Sequence, residues 1–150
     1  MKVITLLLLA GAVVVSALSQ DKPSISPVSD RSTISREFGV VHHPMVNTDR
    51  THDGVDFKVP EGTPVYATAD GVVRQAGTVE NYGMVVTIKH ARGIQTFYAH
   101  LSKLAVKAGE KVKRGQVIAY SGNTGLSAGP HLHYEVRVKG EKVNPQNFME

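Results

Sequence analysis

From about position 34 onward the chain is a succession of short apolar, β-branched runs, at 63–68, 71–75, 84–89, 95–100, 116–120 and 131–139. Between them lie Glu61-Gly62, Asp70-Gly71, Tyr82-Gly83, Arg92-Gly93, Arg114-Gly115 and a Gly-rich loop at 121–129. Runs of five to nine residues separated by Gly-bearing turns predict strands, and so an all-β domain. Asp70-Gly71 and Arg92-Gly93 carry hairpin-turn chemistry. No long stretch repeats at the helical period. The most helix-like piece, 101–107, amounts to a single turn.

The sharpest alternation is in the last run. Leu132, Tyr134, Val136 and Val138 fall on one face, and His131, His133, Glu135, Arg137 and Lys139 on the other. Two imidazoles thus project the same way, roughly 6–7 Å apart along the strand. Both can serve one metal centre, one as ligand and one as an acid or base beside it.

Composition narrows the possibilities. The 150 residues suffice for one domain. Met1-Lys2, an apolar stretch at 3–15 and the small residues Ala17 and Ser19 predict a secretory signal peptide over 1–19. The stretch is shorter than the roughly 20 residues of a spanning helix, so no stable membrane span is expected after cleavage. Residues 20–33, with two prolines and four serines, read as a linker or an arm, which places the domain at 34–150. There is no cysteine, which removes cysteine nucleophiles and thiolate metal sites. The net charge is +4, and Lys103, Lys107, Lys111, Lys113 and Arg114 cluster without interleaved aromatics. They read as a solvated face, and nucleic acid is not an expected partner.

A second signal is Thr51-His52-Asp53-Gly54-Val55-Asp56-Phe57. His52 would end a loop and Asp56 enter a strand, with Gly54 letting the backbone bend so that both side chains converge. His52, Asp56 and one of the two strand imidazoles make a two-His, one-Asp set. Zinc accepts such a set and keeps a fourth position for water, whose pKa falls towards ~7. In a chain with no sign of a redox cosubstrate, zinc is a better choice than iron. Two histidines are then left to handle protons: the other strand imidazole and His100, which closes the run 95–100. Alternation puts Ile94, Thr96, Tyr98 and His100 on one side of that strand and Phe97 and Ala99 on the other. The loop at 121–129 lacks the Lys-Ser/Thr ending of a phosphate loop and leads into a strand, so it reads as the wall of a groove for an extended peptide.

These motifs, His-Asp-Gly-Val-Asp-Phe at 52–57, Tyr98-Ala99-His100-Leu101 and Gly129-Pro130-His131-Leu132-His133-Tyr134-Glu135-Val136, resemble the LytM/lysostaphin-type zinc endopeptidases of bacterial peptidoglycan. The similarity runs over the whole expected domain, with the motifs in the family's order. It implies a two-sheet antiparallel β domain with a groove over one sheet. It implies zinc held by His52, Asp56 and His133, with His131 as general base and His100 as a second catalytic histidine that stabilises the tetrahedral intermediate. The implied substrate is a peptide stem or cross-bridge of peptidoglycan, either Gly-Gly or a D-amino-acid link, met outside the cytoplasm by a monomer. One departure is visible: Phe38-Gly39-Val40-Val41-His42-His43-Pro44 has Val41 where the family often has Arg. His42, His43 and His90 fall outside the motifs and read as structural or surface groups.

Two other readings compete. A non-catalytic binding module would be expected to have lost ligand residues, and all five site residues are present. A lipoyl- or biotinyl-type carrier is suggested by the phrase at 107–119. It lacks a modifiable Lys in a Met-Lys-Met-like hairpin tip.

Overall fold

The computed structural model describes residues 20–29, 32–43 and 45–150. The expected signal peptide lies outside them. The described residues form twelve strands in succession. They are β1 (Thr33–Arg36), β2 (Gly39–His43), β3 (Thr48–His52), β4 (Val55–Lys58), β5 (Pro64–Tyr66), β6 (Gly71–Val79), β7 (Gly83–Lys89), β8 (Ile94–Leu104), β9 (Lys111–Val112), β10 (Val117–Ser121), β11 (Leu132–Val138) and β12 (Glu141–Val143). Every pairing is antiparallel. The main sheet runs β1-β4-β11-β8-β7-β6-β9, with β12 beside β11, while β2 and β3 form a separate hairpin. Among the described residues no helix is long and apolar enough to cross a membrane.

Strand β8 is eleven residues long because it serves two layers. Its first part lies between β11 and β7. Its last part, from Leu101 to Leu104, pairs with β10, which carries β5 in turn. The piece expected to be a single helical turn, 101–107, is therefore largely strand, because its backbone groups find a partner in β10 that local pattern does not reveal. The layer of β5 and β10 covers one face of the main sheet. Val55, Phe57, Tyr98, Tyr134, Val86 and Ile88 from the main sheet meet Val65, Ala67, Ile118 and Ala119 there.

One turn expectation needs correction. Asp70-Gly71 joins β5 to β6, which do not pair with each other, so it is a crossover and not a hairpin turn. Arg92-Gly93 does close the β7–β8 hairpin, with φ of 61° and 73°. The segment 20–29 is an arm laid on the domain. Val28 enters the core, Tyr66 donates its N–H to the Pro27 carbonyl and Ser24 to that of Thr68.

A chain of buried polar groups threads this core. His90 Nδ1–H donates to the Asp70 carbonyl at 2.7 Å, and its Nε2 lies 2.7 Å from Thr96 Oγ1. Thr96 bonds to Tyr98 Oη, Tyr98 to Thr68, and Thr68 to Tyr134 Oη at 2.8 Å. Each buried hydroxyl thus has partners, which removes the cost of burying it. Burial pushes the His90 imidazole below its ordinary value, against the pull of Asp70.

Below pH 6.5 the unfolded chain takes up a proton at His90 that the folded chain refuses. Stability from this group is therefore full above that pH and is lost as pH falls towards the folded value. In urea unfolding between pH 8 and 5, His90→Gln should be less stable at pH 8 and show a shallower decline; an unchanged slope would refute this. A Cβ on Gly54 would collide with the Tyr134 carbonyl and Glu135 Cγ, so Gly54 is required by close approach of the β3–β4 connection to β11. Gly54→Ala should cost about 2 kcal/mol or more, read by the same unfolding assay.

Candidate metal centre and cleft

The site is laid out by strand register. β4 pairs with β11 so that Asp56 stands opposite His133. Residues directly opposite in an antiparallel pair share a face. On the other face Leu132 stands opposite Phe57 and Tyr134 opposite Val55, all buried in the core. Burial on that face holds the register that places Asp56 beside His133. The last residue of β3, His52, is then brought in by the two-residue link through Gly54.

Three atoms converge here. His133 Nδ1 lies 2.9 Å and His52 Nε2 3.2 Å from Asp56 Oδ1, and the two ring nitrogens are 3.3 Å apart. The far nitrogen of each ring is occupied. His52 Nδ1–H donates to the Glu37 carbonyl at 2.9 Å, and His133 Nε2–H to Glu135 Oε1 at 2.9 Å. With their protons held there, both rings turn lone pairs towards one another and towards a carboxylate. Such a cluster calls for a cation between its members, and its N, N, O donor set suits a transition metal.

The electrostatics agree. Burial would raise the Asp56 carboxyl, but the two imidazoles of His133 and His52 beside it hold it well below the usual range. Burial disfavours a charged His133, yet Asp56 and Glu135 push its pKa above the ordinary value. Glu135 is fully buried; Arg137 and His133 outweigh its desolvation and keep it ionised.

His131 sits just before β11, at a bridge to Gly122. Its Nδ1–H donates to the Gly129 carbonyl at 2.8 Å, with Ser127 Oγ at 3.1 Å, so the free nitrogen is Nε2, 3.9 Å from Asp56 Oδ1. His100 arrives by a different device. Alternation set it on the side of Thr96 and Tyr98, at a strand end within reach of the site mouth. Instead His100 takes a left-handed backbone, φ 59°, in the interval where the β7–β8 register shifts. This bulge turns its ring to the face of His133 and Ala99, with the centroid 4.7 Å from that of His131 and 6.1 Å from that of His133. His100 Nδ1–H donates to the Thr124 carbonyl at 2.7 Å, and burial pushes this imidazole below its ordinary value.

All five histidine and aspartate residues singled out in the sequence line one cleft of about 840 Å³. The loop expected as a groove wall supplies Leu126, Ser127, Ala128 and Gly129 to it. Histidines read as structural lie elsewhere. His90 is in the buried chain, and His42 makes an exposed pair with Asp49; nothing is described of the His43 side chain. Two residues at the site escaped sequence reasoning. Glu135 was legible as sharing a face with His133, although nothing marked it as that ring's partner. Tyr82 packs near His133 and His100, with centroids 5.9 and 6.2 Å away, and carried no signal beyond a turn.

Comparison with known proteins places this geometry. Residues 50–145 match the model of peptidase family M23, a span that contains all five site residues. The chain is 47% identical over 119 residues to peptidoglycan DD-endopeptidase ShyA of Vibrio cholerae, covering 79% of this chain and 28% of that protein. It spans about a quarter of the length of the curated relatives it matches first. A zinc containing peptidase from Vibrio cholerae superposes with a TM-score of 0.76 at 39% identity, over 82% of this chain and 39% of that one. The catalytic domain of lysostaphin from Staphylococcus simulans superposes with a TM-score of 0.70 at 32% identity, over 79% of this chain and 92% of that one. A match over most of the folded chain, with the ligand set inside it, makes this protein a member of peptidase family M23.

Proposed function

We propose that this protein is a zinc metalloendopeptidase that acts outside the cytoplasm and hydrolyses peptide cross-links of bacterial peptidoglycan. The observation that carries the reading is the convergence of His52 Nε2, Asp56 Oδ1 and His133 Nδ1 at the floor of an open cleft with two further histidines on its edge. The named activities of ShyA and lysostaphin support it. The site is complete within one chain, which supports action as a monomer.

His52, Asp56 and His133 would hold the zinc, which when bound polarises the scissile carbonyl and acidifies an attacking water. His131 is placed to move the proton. With Nδ1–H fixed on Gly129, its Nε2 is the free base at the cleft, accepts a proton from water and returns it to the leaving amine. His100 lies against the same ring. With Nδ1–H taken by Thr124, His100 would donate to the developing oxyanion from Nε2 only as the imidazolium, a form that burial disfavours until that negative charge develops beside it. Glu135 holds the His133 tautomer that leaves Nδ1 free. The cleft, open along the sheet, accepts an extended peptide against the 121–129 loop.

Purified protein should release new amino termini from purified sacculi, detected by mass spectrometry of the fragments. His52→Ala, Asp56→Ala and His133→Ala should lose both bound zinc, measured by elemental analysis, and hydrolysis. His131→Ala and His100→Ala should keep zinc and lose roughly 10²–10⁴-fold in rate. Retained digestion by these five variants would sink the reading. Glu135→Gln, which keeps an acceptor for His133 but loses the charge, should weaken zinc binding roughly 10–100-fold in a chelator competition, with activity recovering at saturating zinc.

A further inference from the structure

Among the described residues, two cations of the cleft lack a counter-ion. Arg36 on β1 and Lys58 on β4 line the same cavity as the ligand residues. Register places Arg36 opposite Asp56, and Lys58 stands two residues along β4 from Asp56, so all three project from the groove face. Neither cation makes an ion pair or side-chain hydrogen bond among the described residues. Other cations near the cleft are matched: Lys142 pairs with Asp53 and Arg137 with Glu135. The neighbouring carboxylate, Asp56, has Oδ1 committed to His52 and His133.

Strand order gives the cleft a direction. Crossing the sheet from β1 through β4, β11 and β8 to the β6–β7 turn, the groove passes from Arg36 and Lys58, over the convergent set, to Tyr82 and Asn81. The loop residues 126–130 that complete the lining carry no charge. The cleft is thus cationic at its β1–β4 end and neutral at the other. An unbalanced pair of cations in a substrate cleft selects for a negative group.

We propose that Arg36 and Lys58 form a carboxylate subsite, which selects substrates carrying a free carboxylate on the carbon that bears the scissile nitrogen. This deepens the peptidoglycan reading and rests on it. A neutral glycine bridge offers no such group. Two peptidoglycan structures do: a D-alanyl cross-link to a diaminodicarboxylic acid, and an uncross-linked stem ending in D-alanyl-D-alanine. In both, the carboxylate stays with the amine product, so the subsite holds the leaving half of the substrate at the β1–β4 end. The guanidinium can accept it in a two-pronged hydrogen bond, while the ammonium adds charge without fixed geometry.

The test uses the full zinc-loaded protein on two substrate pairs. One pair is a defined cross-linked dimer and its carboxamide analogue; the other is a stem pentapeptide and its C-terminal amide. Wild-type protein should cleave the carboxylate member of the dimer pair about tenfold more efficiently, through KM rather than kcat. Both residues are exposed, so Arg36→Gln/Lys58→Gln should fold normally. That variant should bring the carboxylate member down to the level of its amide and leave the amide unchanged, while Arg36→Lys should retain most of the preference. A preference in the pentapeptide pair alone would assign the subsite to a terminal stem. Equal cleavage within both pairs by wild type, or equal slowing of both members in the variant, would overturn the subsite alone. Failure to cleave any of the four by a protein that still digests purified sacculi would overturn the subsite, and failure on sacculi as well would remove the hydrolase reading with it.

Discussion

The pairing of Asp56 with His133 across β4 and β11 is the constraint on which the site depends. The ladder sets their separation, and the buried pairs Leu132–Phe57 and Tyr134–Val55 on the opposite face set the register. A slip of one residue would send both polar side chains into the core and the core residues into the cleft. The cost of burying the two imidazoles is offset by second partners, the Glu37 carbonyl behind His52 and the Glu135 carboxylate behind His133.

The two faces of β11 are coupled through this arrangement. Tyr134 lies between His133 and Glu135 in the chain but points the other way, into the buried hydroxyl chain that ends at His90. Polar groups satisfied on both sides of one strand leave it little freedom to shift. His100 is held differently. Its left-handed backbone is costly for a non-Gly residue, and it persists because the Tyr82 carbonyl takes its N–H and the Thr124 carbonyl its ring. The bulge gives β8 its turn into the second layer and also aims a histidine at the cleft. One local distortion therefore serves both the fold and the site.

Legibility in the sequence followed the range of the interactions. The runs 84–89 and 131–139 gave β7 and β11 nearly to the residue, since alternation over a buried sheet is a local signal. The hairpin at Arg92-Gly93 was readable because its φ values suit few sequences. β1, β2, β3, β9 and β12 escaped. They are short and mostly exposed, and form because a neighbour offers hydrogen bonds. The role of 101–104 was lost for a similar reason, its partner β10 being distant in sequence. Val28 entering the core from a Pro- and Ser-rich arm had no periodic signal at all.

The chain's own letters determined an all-β domain, two imidazoles on one strand face, and the His52–Asp56 motif that, with the family resemblance, named five site residues. These follow from period-two geometry and from donor chemistry, which belong to the residues themselves. Tertiary structure decided the rest. It showed which nitrogen of each ring is free, because the loop carbonyls of Glu37, Thr124 and Gly129 and the Glu135 carboxylate on β11 itself occupy the other one. It aimed His100 into the cleft through a left-handed bulge, away from the face it would share with Thr96 and Tyr98 by strict alternation. It brought Arg36 of β1 alongside Asp56, a juxtaposition that exists only once β1 docks on β4 and that no spacing along the chain records.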